Sequence, residues 1–309
     1  MIITKEIKGG VLMKEYKSEK EFLDNYDESL YKSPSLTVDT LVFAIDNKKN
    51  DNYRKLASKS LQILLVKRKE YPEKDKWAIP GGFINIDEEL IDAANRRLRE
   101  EVGLENIYLE QLYTWGDINR DPRKRILSTS YISLVNKNEV TTHAGETAWD
   151  ATWFDISFNE LESKTIDNTK KTTMELALTN SVTGEKIITK LLITKSIKNH
   201  LVDMNTEIIG DNLLAFDHAK IISYAIIRLK SKLEYSCIAM HLMPKEFTFS
   251  DLQSVYECIL NKKFVGPNFR RKMKPLLIES NTMKEAGENS GHRPAQLLKF
   301  NPETILNEF

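Results

Sequence analysis

A Pro-Gly-Gly turn followed by a charged helix with a glycine stop constrains this chain more than any other feature. In Trp77-Ala-Ile-Pro-Gly-Gly-Phe83 the proline and paired glycines force a loop. The charged stretch over residues 88–102 then reads as a helix, and Gly103 supplies its natural end, because glycine takes the left-handed C-terminal conformation without steric cost. Runs of branched and aliphatic residues at 36–45, 61–66, 107–115, 126–135 and 151–154 read as strands around that helix. One long helix set among strands indicates an α/β or α+β layer fold rather than a helical bundle.

The helix carries chemistry as well as shape. Positions 97, 100 and 101 are related as i, i+3 and i+4, so their side chains share one face. Carboxylates on such a face, beside a glycine loop, can hold a hard cation such as Mg²⁺ and, through it, phosphate oxygens. Gly82, Glu88, Arg96, Leu98, Glu100, Glu101, Gly103 and Leu104 match the form G-x5-E-x7-R-E-U-x-E-E-x-G-U, and the segment resembles the Nudix box. The resemblance implies an α/β/α sandwich that hydrolyses nucleoside diphosphates linked to another group, with Glu100 and Glu101, joined by Glu88 and Glu146, as metal ligands.

Arg97 departs from that pattern. It stands where the family has the first glutamate of R-E-U-x-E-E. Loss of a general base typically costs about 10² to 10⁴ in rate, and a guanidinium one turn from Glu100 and Glu101 competes with a cation or meets a phosphate itself. Residues 110–123 with 128–131 further resemble ADP-ribose pyrophosphatases and the Nudix-related transcriptional regulators of the NrtR family. Their Arg-Asp-Pro-Arg core offers Arg120 and Arg123 to phosphates or carboxylates. Gly81, Gly82, Arg96, Arg97, Arg120 and Arg123 are accordingly the candidate ligand-binding residues.

The C-terminal part has a different character. Residues 219–309 carry 14 Lys and Arg against 9 Asp and Glu, so the first 218 carry 31 against 36, although the whole chain is neutral. A basic tail portion on an acidic remainder suits a protein with different partners at its two ends. Ser250, with Gln253 three positions on, reads as the N-cap of a helix with Leu252, Val255, Tyr256 and Ile259 on one apolar face. A second helix over 268–277 turns Phe269, Met273 and Leu276 inward and projects Arg270, Arg271, Lys272 and Lys274. Strand-like runs at 277–280 and 295–300 flank a loop containing His292 and Arg293, the outline of a winged helix-turn-helix. These segments, with 214–219, resemble the C-terminal domain of the NrtR family, which implies a DNA contact through Lys263, Asn268, Arg270, Arg271, Lys272, Lys274, His292 and Arg293.

The expected organisation is an N-terminal helical arm (1–34), a Nudix-like domain (35–210) with a β-hairpin extension at about 160–207, and a winged helix (211–309). Cys237 and Cys258 read as small buried residues and cannot form a disulfide framework. No run is long and apolar enough for a membrane span, and a cytoplasmic location follows as the default. The family resemblance implies a regulator that binds ADP-ribose or a related nucleotide sugar, binds an operator in double-stranded DNA, and forms a homodimer to match paired half-sites. Mg²⁺ is the cofactor the carboxylates suggest, and DNA binding requires none. The competing function is a Mg²⁺-dependent nucleoside-diphosphate-sugar hydrolase, alone or combined with regulation.

Overall fold

The computed structural model describes residues 4–5, 13–14, 16–27, 29, 31–47, 59–284 and 295–306. It separates into two units, Met1–Pro34 and Ser35–Phe309. In the first, β1 (Thr4–Lys5) pairs antiparallel with β2 (Met13–Lys14), and α1 (Glu19–Asp24) begins where the Ser18 hydroxyl accepts the Glu21 N–H at 3.2 Å.

Strands buried on both faces organise the second unit. In β3 (Ser35–Asn47), Leu41 and Phe43 face one side of the sheet while Val42 and Ala44 face the other. Next to it, β4 (Lys59–Arg68) repeats the pattern with Ile63 and Leu65 against Leu64 and Val66. A strand with two apolar faces belongs in the middle of a layered fold. The short strands β5 (Trp77–Ala78) and β6 (Gly81–Phe83) pair with β4 and β3, and α2 (Leu90–Val102) follows. Beyond it come β7 (Glu110–Trp115) and β8 (Ile126–Val135), then a meander of β9 (Ala148–Ile166), β10 (Thr169–Asn180), β11 (Lys186–Lys198) and β12 (Leu201–Ile209). The order is β12-β11-β10-β9-β4-β3-β8-β7, with β3 and β8 parallel and the other pairs antiparallel.

The expected hairpin around Thr183-Gly184-Glu185 is the β10–β11 connection, but it forms part of this longer meander. Strands β9 and β12 flank it, so the extension continues the main sheet. The second half of β9 (159–166) and most of β12 are exposed and mix acidic and amide residues with apolar ones that gain no buried face, which is why they do not read as strands.

Leu98 and Val102 of α2 cover one face of the sheet. The opposite face is covered by α3 (His218–Tyr235) through Ile221, Ile222, Ile226, Leu229 and Leu233. The same apolar cluster runs on through the turn Ile238–Leu242, α4 (Phe249–Leu260) and α5 (Gly266–Met273) to Leu298 of β14 (Ala295–Phe300), the partner of β13 (Leu277–Lys284). A last short helix, α6, spans Pro302–Leu306. Each fully buried large aliphatic or aromatic side chain contributes roughly 1.5–3 kcal/mol, against about 1 kcal/mol at most for an exposed ion pair. The continuous core therefore joins the sheet to the C-terminal helices.

Two local expectations are corrected. The cap of α4 is Thr248, whose hydroxyl accepts the Asp251 N–H at 3.1 Å while Asp251 accepts the Thr248 N–H at 3.2 Å. Both Thr-x-x-Asp and Ser-x-x-Gln fit the capping pattern; the backbone pairing of Phe247 with Leu298 decides for the earlier one. The basic helix ends at Met273, and Lys274–Leu276 tighten into a 3-10 turn, because Pro275 has no N–H for an α-helical bond. Of the two thiols, Cys237 is buried and Cys258 half-buried, with its Sγ donating to the Lys59 carbonyl at 3.3 Å. Among the described residues no helix is long and apolar enough to cross a membrane.

Candidate functional site

At Gly81 the loop passes where only glycine fits, and at Gly82 it runs close under the Arg97 guanidinium. A Cβ on Gly81 would lie 2.3 Å from the Val38 carbonyl, and one on Gly82 would lie 2.6 Å from Nε of Arg97. The loop therefore lies tightly between β3 and the ligand face of α2. At the other end of that helix, Gly103 adopts φ 73° and donates to the Arg99 carbonyl at 3.1 Å, as its place in the sequence predicts.

The carboxylates of the motif are engaged by other groups. Glu88 accepts from Arg96 Nε at 2.8 Å, in a closer contact from Arg96 Nη2, and from the Asn85 N–H at 2.6 Å; the Arg96 guanidinium pulls its pKa down to about 2. Glu100, 43% exposed, meets Arg96 at 3.1 Å and Arg97 at 3.4 Å. Glu101, 8% exposed, turns inward to accept the Gly81 N–H at 3.0 Å, and burial pushes its pKa up to about 7 against the pull of that N–H and of Arg97. Glu146 is exposed in the loop whose Gly145 abuts the Glu100 carbonyl.

Arg97 donates to the Phe83 carbonyl from Nη2 at 3.0 Å and from Nε at 3.3 Å, so its positive charge sits between the glycine loop and Glu100. Glu88, Glu100 and Glu101, as they are disposed, do not fit a divalent cation, since their oxygens are held by guanidiniums or by a backbone N–H. Among the described residues no group of three or more His, Cys, Asp or Glu is placed to hold a metal.

Beside Arg97 opens a cavity of about 240 Å³. Of the sequence-derived candidates, Gly81, Gly82, Arg97, Glu101, Arg120 and Arg123 line it, whereas Arg96, Glu88, Glu100 and Glu146 do not. Sequence reasoning missed Asp39, Arg68, Asp121, Phe216 and His218, which also line it. Asp39 is a buried carboxylate inside an apolar strand, raised in pKa by burial and countered by Arg120 and by the Ser128 hydroxyl that donates to it. A lone acidic residue in such a strand was the available signal. Arg68 ends β4 and stands 5.0 Å over the Phe216 ring; Arg123 stands 5.0 Å over Phe83 and 5.9 Å from Phe216. Arg123 also holds Asp121 in a two-point contact at 3.0 and 2.8 Å.

Phe216 and His218 come from a segment read at first only as part of the C-terminal unit. Nδ1 of His218 accepts the Ile79 N–H at 2.9 Å, and burial lowers its pKa to about 3, so the ring is neutral. Between them, Asp217 binds Arg120 at 3.0 and 2.8 Å. Four guanidiniums and the rings of Phe83 and Phe216 thus meet at one cavity. Such a set recognises planar or tetrahedral anions, with bidentate contacts available to phosphate.

The second candidate surface is α5. Phe269 and Met273 are buried, with Tyr256 packed edge-on to Phe269 at 5.4 Å, whereas Asn268, Arg270, Arg271, Lys272 and Lys274 are exposed. Lys263 is also exposed while contacting Glu257 at 2.7 Å, and Arg270 lies 4.7 Å over Phe249. Helix, tight turn and basic helix, followed by two paired strands, present a cationic face of groove-binding shape. His292 and Arg293 lie outside the described residues.

Comparison with known proteins follows the same division. A model of the NUDIX domain matches residues 50–176, and one of the NrtR DNA-binding winged helix domain matches residues 239–300. The chain is 31% identical over 92% of its length, and 89% of the relative's, to a protein of Acinetobacter baylyi named "ADPR responsive transcriptional repressor NtrR". A MutT/nudix family protein from Enterococcus faecalis superposes with a TM-score of 0.62 at 25% identity, covering 92% of this chain and 94% of the other. Shewanella oneidensis NrtR gives 0.56 at 26%, covering 87% and 95%, and its complex with a 27mer DNA gives 0.54 at 25%, covering 88% and 95%.

Proposed function

This chain belongs to the NrtR family, and from that premise we propose that it is a transcriptional regulator whose DNA affinity responds to ADP-ribose or a related nucleotide sugar. The observation that carries the reading is the seat of Arg97: a fixed positive charge lies where a cation-binding carboxylate would be required, in a cavity walled by three further guanidiniums. The ligand's diphosphate is bound by Arg68, Arg97, Arg120 and Arg123 directly. Phe83 and Phe216, already stacked under those cations, supply apolar faces to the rest of the ligand. Hydrolysis is slow or absent, because Arg97 stands in place of the motif's first glutamate, Glu100 is paired with two guanidiniums and Glu101 is turned inward onto the Gly81 N–H.

The DNA contact is assigned to α5, with Asn268, Arg270, Arg271, Lys272 and Lys274 entering a major groove and Lys263 near the phosphates. His292 and Arg293, which fall between β13 and β14 in the sequence, are proposed as further DNA contacts. The protein acts as a homodimer on paired half-sites, in the cytoplasm with its operator, and needs no metal to hold DNA. The linkage between ligand and DNA requires only that the ligand favour one of two arrangements of the chain.

The test is a mobility-shift titration on the DNA upstream of the protein's own coding sequence, with ADP-ribose, with Mg²⁺, and with AMP formation followed in the same tube. A ligand-dependent change in affinity of about fivefold or more, with little AMP formed, is expected. Arg97→Glu should raise Mg²⁺-dependent hydrolysis by about 10²-fold or more. Rapid turnover by the unmodified chain, or DNA affinity indifferent to ADP-ribose, would defeat the reading.

A further inference from the structure

The segment 214–220 lies between the two regions matched by family models, yet it touches both the cavity and the C-terminal core. Leu214 bridges to Trp77, Ala215 donates to the Trp77 carbonyl at 2.9 Å, and His218 accepts from Ile79, so the chain is fastened to the strand before the glycine loop. Phe216 adopts φ 50°, a left-handed conformation that a side chain with a Cβ rarely takes. That backbone turn places the Phe216 ring against Arg68 and sends Asp217 toward Arg120.

An aspartate at the start of a helix ordinarily accepts a backbone N–H of its own first turn. Asp217 makes no such cap. Both of its oxygens go to Arg120, whose side chain is 5% exposed, in the loop formed by residues 116–125. One turn further along α3, Lys220 pairs with Asp117 of the same loop at 2.5 Å. The first turn of α3 is thus gripped through two ion pairs by a loop that lines the cavity. The whole helix, about 27 Å long for its 18 residues, carries Ile226, Leu229 and Leu233 into the core shared with Leu242, Leu252 and Val255.

We infer that Asp217 and a phosphate of the bound ligand compete for Arg120, so that ligand binding releases the first turn of α3 and shifts the helix on which the DNA-binding unit is packed. This rests on the proposal that the cavity takes ADP-ribose, and adds to it the residue through which occupancy is transmitted. Asp217 occupies the Nε–Nη2 edge of Arg120, and a phosphate that takes this same edge as an oxygen pair displaces it, because one guanidinium edge cannot satisfy both. The strained Phe216 backbone is the hinge, since leaving the left-handed region relaxes it.

The experiment compares the full chain with Asp217→Asn and Asp217→Glu by calorimetry with ADP-ribose and by mobility shift. Asp217→Asn removes the competitor and is expected to bind ADP-ribose on the order of tenfold more tightly. In the absence of ADP-ribose its DNA affinity should already match that of the wild-type chain with ligand, and its response to ligand should be lost. Asp217→Glu keeps the charge and restores the response. Should Asp217→Asn fail to fold, amide hydrogen exchange on the wild-type chain decides: exchange over residues 217–222 is expected to rise with ADP-ribose.

Wild-type binding of ADP-ribose, together with an Asp217→Asn variant of unchanged affinity and intact response, overturns the inference and leaves the proposed function standing. Unchanged or slower exchange over 217–222 does the same. If the wild-type chain binds no ADP-ribose, both fall together.

Discussion

The cavity beside α2 and the face of α5 are both built on arginines, and they use them in opposite ways. In the cavity the guanidiniums are tied: Arg97 to Phe83 and Glu100, Arg120 to Asp217, Arg123 to Asp121. On α5 and the turn after it, Arg271, Lys272 and Lys274 project from an exposed surface with no carboxylate partner among the described residues. Preorganised cations in a half-closed cavity select a small anion by shape and by exchange of partners. Cations in solvent attract a polyanion and are governed by salt.

The comparison is easiest to break at Arg120. Its charge is enclosed and shared with Asp217 and with Asp39 3.9 Å away, so Arg120→Ala leaves two carboxylates uncompensated. A loss of about 3–5 kcal/mol in urea unfolding is expected. A loss near the 0–1 kcal/mol of a surface pair would show that the cavity is as solvated as α5 and remove the distinction.

Arg271→Ala is the matching change on the exposed side. It should leave the urea midpoint within about 0.5 kcal/mol while weakening DNA binding by about 1–3 kcal/mol if it reads a base, or lowering the salt slope by about 1 if it holds a phosphate. Equal losses of fold and DNA affinity would mean that α5 is a packing element.

The shallowest effect concerns pH and sharpens the cavity alone. The folded pKa of Glu101, about 7, is above its ordinary 4.5, so the folded chain binds the extra proton and loses stability as pH rises from 4.5 to 7. His218 works the other way: with a folded pKa near 3 against 6.5, it costs stability as pH falls from 6.5 toward 3. Between pH 4.5 and 6.5 the two oppose. Replacement by Glu101→Gln should expose the His218 slope, so that stability rises by about 1 kcal/mol per pH unit there while the unmodified chain stays flatter. Parallel profiles for the two chains would place Glu101 in solvent.

Much of this could be read from residues close together in the chain. The glycine stop at Gly103, the helix before it, the inward Phe269 and Met273 and the outward Arg270 and Arg271 all follow from periodicities of a few residues, because backbone hydrogen bonds and side-chain faces repeat over a turn. Arg97 as the odd member of its motif was also legible. The Thr248 cap was a choice between two equally good local patterns, and pairing with the distant Leu298 made it.

Which charges meet which was decided only by the tertiary structure. Asp39, Arg68, Arg120 and Asp217 are far apart in sequence and converge because β3 runs parallel to β8, β4 lies on its other side, and α3 starts beside the glycine loop. A sequence states that a guanidinium exists but not its neighbours, and in a partly buried cavity the neighbours set its role. So the chain alone determined the family of shapes and the spoiled motif, while packing determined that Glu100 is held by arginines, that Glu101 turns inward, and that the helix leading to the C-terminal unit begins beside the arginine-lined cavity.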